Sequence, residues 1–199
     1  MSKTGAAFSV RFLRNGDQIT IVRNIITSSG QGAALFQVVD PISGNVKPDW
    51  EVAENQPIVQ ISARSAAGYH VEISDVRFAF GGKTLNFTYN GSAWVTASDD
   101  SRFQSRINDE GKYELKIVGN IASKNEISNK QITYEVSYVS NAMSDRVQGS
   151  VDVLIQQIGS DSHIVQITTN RVELDESKDS ATLTAHAMYG TEDVTIGSN

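Results

Sequence analysis

The 199-residue chain contains no cysteine. That excludes a disulfide framework, a thiolate metal site and a cysteine nucleophile. It also weighs against a small secreted domain that depends on disulfides. Proline is scarce, and all three, Pro41, Pro48 and Pro57, precede residue 58. Proline cannot donate to a strand ladder, so irregular turns are expected to interrupt the first third and leave the rest free for regular sheet. No apolar run approaches the ~18–20 residues of a membrane-spanning helix. The stretch from Met1 to Phe8 has one lysine and no apolar centre, so it does not read as a secretory signal. Cations are outnumbered, with 17 Lys and Arg against 23 Asp and Glu and a net charge of −6. A nucleic-acid surface needs clustered cations to displace counterions, and this balance argues against one. With 39% hydrophobic residues the chain is not a disordered tail.

What is present is a period of two. Phe8, Val10 and Phe12 alternate with Ser9 and Arg11, and Ile19 and Ile21 resume the pattern after Asn15-Gly16. Both central residues of a tight hairpin need positive φ, which Asn-Gly supplies, so 8–13 and 18–24 are predicted to pair. Thr27 to Gly32 reads as a loop, with strands over 34–39 and 57–61. Further strands are predicted at 69–73, 76–80, 84–89, 93–97, 112–118, 131–139 and 148–158. Gly81-Gly82, Asn90-Gly91 and Asp109-Glu110-Gly111 punctuate them. In the last of these runs Val151, Val153 and Ile155 face one way, and Ser150, Asp152 and Gln156 the other. No segment has a convincing 3.6-residue pattern. Residues 121–130 come nearest and read as a loop with at most one helical turn. Many short strands without helical crossovers indicate an antiparallel sandwich or barrel.

The small, weakly patterned stretch Ser62 to Gly68 is taken as a domain boundary. A third unit begins after Gly159-Ser160-Asp161-Ser162, with strands at 163–168, 171–174 and 181–189. Residues 161–199 cannot bury two faces of a sheet, so the chain is expected to be the N-terminal part of a longer polypeptide. Thr84 to Gly91 aligns with Thr182 to Gly190 if one insertion is allowed. The two lie about one hundred residues apart, one immunoglobulin-like domain.

Candidate chemistry is thin. His70, His163 and His186 are too widely spaced for paired metal ligands and read as polar strand residues. Asp99-Asp100 reads as solvated turn charge, because no third ligand is evident. Gly30-Gln31-Gly32 is too short for a phosphate loop, and there is no Gly-x-Ser-x-Gly elbow. No catalytic, metal or cofactor residues are therefore assigned, no cofactor is expected, and binding residues are left open. Trp94, between Ala93 and Val95, is expected in the core. Trp50 is balanced between core and surface.

Asp109-Glu110-Gly111-Lys112-Tyr113-Glu114-Leu115 resembles the Asp-x-Gly-x-Tyr-x-Cys run of the immunoglobulin F strand, with Leu115 in the cysteine place. The resemblance implies a tyrosine corner, in which Tyr113 bonds back to the upstream chain. Asn170-Arg171-Val172-Glu173-Leu174-Asp175 with Ala181-Thr182-Leu183-Thr184-Ala185 resembles the first strands of bacterial immunoglobulin-like repeats. The run from Leu35 to Trp50 is similar in style to segments of virion proteins of phages infecting Bacteroidetes.

These resemblances imply an all-β chain of tandem antiparallel immunoglobulin-like sandwiches. They set an N-terminal attachment module over 1–66, a sandwich over 67–160 and an incomplete module over 161–199. They imply a non-enzymatic structural component of a phage virion, a fibre, tail or capsid-decoration protein, made in the host cytoplasm. Its partners would be other virion proteins, further copies of itself as a homo-oligomer, and a host surface glycan. No nucleic-acid partner and no membrane span are expected. The alternative is a bacterial cell-surface adhesin or carbohydrate-binding module, which calls for a solvent-exposed Trp50 or Trp94 flanked by polar groups.

Overall fold

Alternation in the sequence becomes alternation of burial across two facing sheets. The computed structural model describes residues 11–14, 17–28, 30–31, 34–140, 143–158, 163–169, 183–189 and 192–193. The first strands are β1 (Arg11–Arg14), β2 (Asp17–Thr27), β3 (Gly30–Gln31), β4 (Leu35–Val39), β5 (Val46–Lys47) and β6 (Ile58–Ser65). The middle strands are β7 (Val71–Phe80), β8 (Lys83–Thr84), β9 (Val95–Thr96), β10 (Phe103–Ile107) and β11 (Tyr113–Ile117). The last are β12 (Lys130–Ser140), β13 (Met143–Gln157), β14 (His163–Thr169), β15 (Leu183–Tyr189) and β16 (Glu192–Asp193). Among the described residues the only helical element is a single 3-10 turn at Ala53–Asn55.

The larger sheet runs β16-β15-β14-β3-β2-β6-β11-β10-β9, with β1 added on β2. The smaller runs β5-β4-β13-β12-β7-β8. The protein is thus an all-β sandwich. Its core takes Ile21 and Ile25 from β2, Val59 and Ile61 from β6, and Leu115 and Ile117 from β11. The facing sheet supplies Phe78, Ile132, Val136, Val151 and Val153. Each belongs to the inward half of an alternating strand.

β1 and β2 pair as expected, from Arg11↔Thr20 to Arg14↔Asp17, while residues 8–10 and Asn15-Gly16 lie outside the described residues. Val151, Val153 and Ile155 point inward, as their spacing predicts. β12 and β13 pair continuously from Lys130↔Val153 to Ser140↔Met143. Residues 121–130 carry an isolated Ser123↔Glu126 bridge and no helix.

Other expectations need correction. Residue 66 separates no modules. β2 and β6, from before it, pair with each other, and β6 pairs with β11 from beyond it. β4 lies parallel to β13, with Leu35 opposite Val153 and Val39 opposite Gln157. Residues expected in the first two modules therefore share one sandwich and one core. The stretch 62–68 misleads because Ala63 packs inward while Ser62 and Arg64 lie on the other face, extending β6 through Ser65. The strands expected at 69–73 and 76–80 are one strand, β7.

The strand expected at 84–89 is regular only at its start. Leu85 N–H donates to Phe78 O (2.8 Å) in the smaller sheet, and Ser98 N–H donates to Asn86 O (3.0 Å) beside the larger. The segment crosses between sheets with Leu85 buried, which explains its strand-like period. Its proposed repeat partner includes a regular strand, β15, so the two stretches do not share a conformation.

In the C-terminal part β14, β15 and β16 form a meander joined to the larger sheet through Thr169↔Gln31. The strand expected at 171–174 lies outside the described residues.

Candidate functional site

The outer face of the larger sheet is set by the same alternation that builds the core. On β10, Phe103 and Ser105 are buried, so Gln104 and Arg106 take the opposite face. On β11, Tyr113, Leu115 and Ile117 point inward, leaving Glu114 and Lys116 outward. Register aligns Arg106, Glu114, Gln60 and Asn24 in one cross-strand row. Thr96, Gln104, Lys116 and Ile58 form the next.

Trp94 sits at the edge of these rows, immediately before β9. Its indole packs against two cations. The Arg106 Cζ lies 4.4 Å and the Lys116 Nζ 4.3 Å from the ring centroid. A cation over an indole face is attracted by the ring quadrupole. The ring is half-buried and lies outside the hydrophobic core. The core placement expected for Trp94 is therefore corrected. Ala93, Val95 and Ala97 share the inward parity, with Ala97 buried, and this turns Trp94 and Thr96 outward. Trp50 takes the core position, 2% exposed.

Glu114 anchors the polar part of the face. It is 4% exposed, accepts from Arg106 Nε at 2.7 Å, and accepts from Gln60 Nε2 at 2.8 Å and Asn108 Nδ2 at 3.0 Å. Burial pushes its carboxyl pKa up, but the three donors outweigh burial, so the pKa lies below the ordinary value. Arg106 is thereby neutralised. Lys116 has no carboxylate partner among the described residues. Its pKa is lowered, first by burial and then by the Arg106 charge. The result is a local positive spot beside an aromatic ring, on a chain whose net charge is −6.

The motif read as an immunoglobulin F strand is built differently. Asp109-Glu110-Gly111 forms the tight turn of the β10–β11 hairpin, closed by Asn108 N–H to Lys112 O at 2.9 Å. Gly111 has φ of 74°, which a residue with a Cβ rarely adopts. The Tyr113 hydroxyl meets Ser74 O at 3.5 Å in the opposite sheet instead of the chain just upstream. The expected tyrosine corner is thus replaced by a contact between sheets, with Tyr89 packed edge-on at 5.9 Å. Leu115 is fully buried, as an apolar residue at that place should be.

The remaining candidates are dispersed. His70 is exposed and lines a cleft of about 550 Å³ at one end of the sandwich, with Glu72, Glu110 and Lys112. His163 and His186 lie opposite Tyr189 and Gln166 in the β14–β15 hairpin, away from His70 in sequence and strand. Asp100 holds Arg102 through two contacts, 2.9 Å to Nε and 2.7 Å to the terminal nitrogen. Asp99 accepts Asn86 N–H at 3.0 Å. Asp100 thus serves its own turn, and Asp99 ties that turn to the segment at Asn86. Among the described residues no three His, Asp or Glu side chains gather as metal ligands. No described helix is long and apolar enough to cross a membrane.

A second polar cluster was not foreseen from the sequence. Gln37 occupies an inward position of β4 between Leu35 and Val39 and is fully buried. Its Oε1 accepts the Ile121 and Ala122 N–H groups, both at 2.9 Å. Its Nε2 donates to Pro48 O at 3.0 Å and Asn120 Oδ1 at 2.6 Å. Asn120 in turn accepts Trp50 N–H at 2.9 Å and donates to Asp49 Oδ1 at 2.8 Å. The loops at that end are fixed to the core by one buried amide.

Comparison with protein-family models finds no match to the chain, and comparison with curated proteins finds none.

Proposed function

We propose that this protein is a non-enzymatic attachment module that holds a surface glycan on the outer face of its larger sheet. The observation that carries the reading is Trp94, a half-exposed indole flanked by Arg106 and Lys116, with Glu114 bonded to Arg106. A flat indole offers an apolar platform for the C–H face of a sugar ring, and neighbouring polar groups bond its hydroxyls. Gln60 and Gln104, on the same face, supply amides for that purpose.

The setting we propose is the surface of a phage virion, where the protein is a structural component alongside other virion proteins and further copies of itself. Support for that setting is the style of the Leu35 to Trp50 run. The smaller sheet ends on two-residue strands, β5 and β8. Short edge strands discourage pairing with another chain, which favours a face over an edge ladder as the contact.

The test is a glycan-array screen followed by calorimetric titration. Wild type should show saturable binding that Trp94→Ala abolishes while its unfolding midpoint stays near that of wild type. Binding that survives Trp94→Ala would overturn the assignment of this face. Recovery in stoichiometric amount from density-purified particles tests the setting, and recovery in the cell envelope alone would favour a cell-surface adhesin.

A further inference from the structure

The geometry points to an acidic glycan, one whose ring carries a carboxylate or sulfate, as the ligand of the Trp94 face, with Lys116 as the residue that selects it. This rests on the glycan reading above. Two cations lie against the ring, but they are not equivalent. The Arg106 charge is matched by Glu114 at 2.7 Å, and that carboxylate is saturated by Gln60 and Asn108. Lys116 stands on the next strand, with Gln104 opposite it on β10 and Ile58 on β6. Neither can neutralise it. The charge that acts on it is Arg106, of the same sign, whose guanidinium lies against the same ring. An ammonium held against an indole, partly desolvated and repelled by a guanidinium, gains by accepting an anion. A neutral sugar would stack on the indole and leave that charge unmatched. An acidic sugar can stack and pair at once.

Both contacts are needed for selectivity. Stacking alone does not distinguish a uronate from its methyl ester, because the pyranose face is the same. A lone surface lysine gives a weak, salt-screened attraction. Trp94 fixes the ring within reach of the ammonium, which makes the charge contact specific.

The experiment compares oligogalacturonate with its methyl ester, and a sulfated galactan oligosaccharide of the carrageenan type with its desulfated form, at 0.15 M salt. Calorimetric titration is run on wild type, Trp94→Ala and Lys116→Met, the last keeping the apolar stem. Each acidic probe should bind wild type roughly tenfold more tightly than its neutral counterpart, a difference typical of one charge-assisted contact. Lys116→Met should lower the acidic affinity roughly tenfold and the neutral affinity far less, so that the preference for the acidic probe is lost. Equal affinity for acidic and neutral probes in wild type, lost in Trp94→Ala, would overturn the acidic selectivity and leave the glycan reading standing. No binding of any of the four probes to wild type would overturn both. Binding of the acidic probes alone that persists in Trp94→Ala would assign them to nonspecific charge and overturn the inference.

Discussion

Replacing Gln37 by leucine should unfasten the loops that the smaller sheet supports. Leucine fills a similar volume, so little cavity forms and the cost is almost purely one of hydrogen bonding. The Ile121 and Ala122 N–H groups lose their shared acceptor, and Pro48 O loses its donor. Asn120 Oδ1 keeps Trp50 N–H. Two buried N–H groups are thus left unsatisfied, beside a half-buried carbonyl. Each unsatisfied buried group costs about 1–3 kcal/mol, so the variant should lose at least about 2 kcal/mol. For a domain of this size that lowers Tm by roughly 4–8 °C. Urea unfolding followed by circular dichroism measures the loss. Amide exchange should show Ile121 and Ala122 losing protection well before the β12–β13 ladder. A loss below about 1 kcal/mol, with both amides still protected, would refute the claim that this amide fastens the loops.

Further predictions test other contacts. Gly149 lies opposite Tyr134, and an added Cβ would fall 2.4 Å from the tyrosine ring and hydroxyl. Gly149→Ala should therefore destabilise by about 1–3 kcal/mol through overpacking, and Gly149→Ala/Tyr134→Leu should recover part of that in denaturation midpoints. Glu114 has a folded pKa below its ordinary value of 4.5, so its contribution is fully present above that pH. The contribution is lost as pH falls below 4.5 through the folded pKa, and Glu114→Gln should flatten that limb of the stability curve. Arg106→Met leaves the buried Glu114 without its cation and should cost about 1–3 kcal/mol at neutral pH. It should also raise the Glu114 pKa, readable by NMR titration. Iodide should quench tryptophan emission better than caesium at equal concentration, because the exposed indole is Trp94 beside two cations. Trp94→Phe should remove that quenching and leave the buried Trp50 emission.

The parts of the fold that sequence made legible are those governed by nearest neighbours. β1 lies against β2 where the alternation on either side predicts it, and Val151, Val153 and Ile155 declare the inward face of β13 within a few residues. β10 was not foreseen, although Phe103-Gln104-Ser105-Arg106-Ile107 alternates, because Ser105 is a small polar residue on the core face. Its hydroxyl is satisfied there by Glu114 O at 2.9 Å. Long-range pairing has no local signature. Nothing near Leu35 announces a parallel partner at Val153, and so a sandwich built from both sides of residue 66 looked like two modules. The Trp94 face failed for a related reason. Parity in 93–97 places the indole outside, but its meaning depends on Arg106 and Lys116, which only the sheet register brings against it. Gln37 looked like one polar residue in an apolar strand, and its role appears only once Asn120 and the 121–122 backbone arrive beside it.

Ligand recognition on the outer face at Trp94 can be read residue by residue in a 15N-HSQC titration with the strongest glycan hit from the array. Shifts should concentrate on the Trp94 indole N–H, on Gln60 and Gln104 side-chain amides, and on backbone amides of Thr96 and Lys116, with the Trp50 indole unmoved. Shifts confined to the cleft at His70 and Glu110, or to the loops around Gln37, would contradict it.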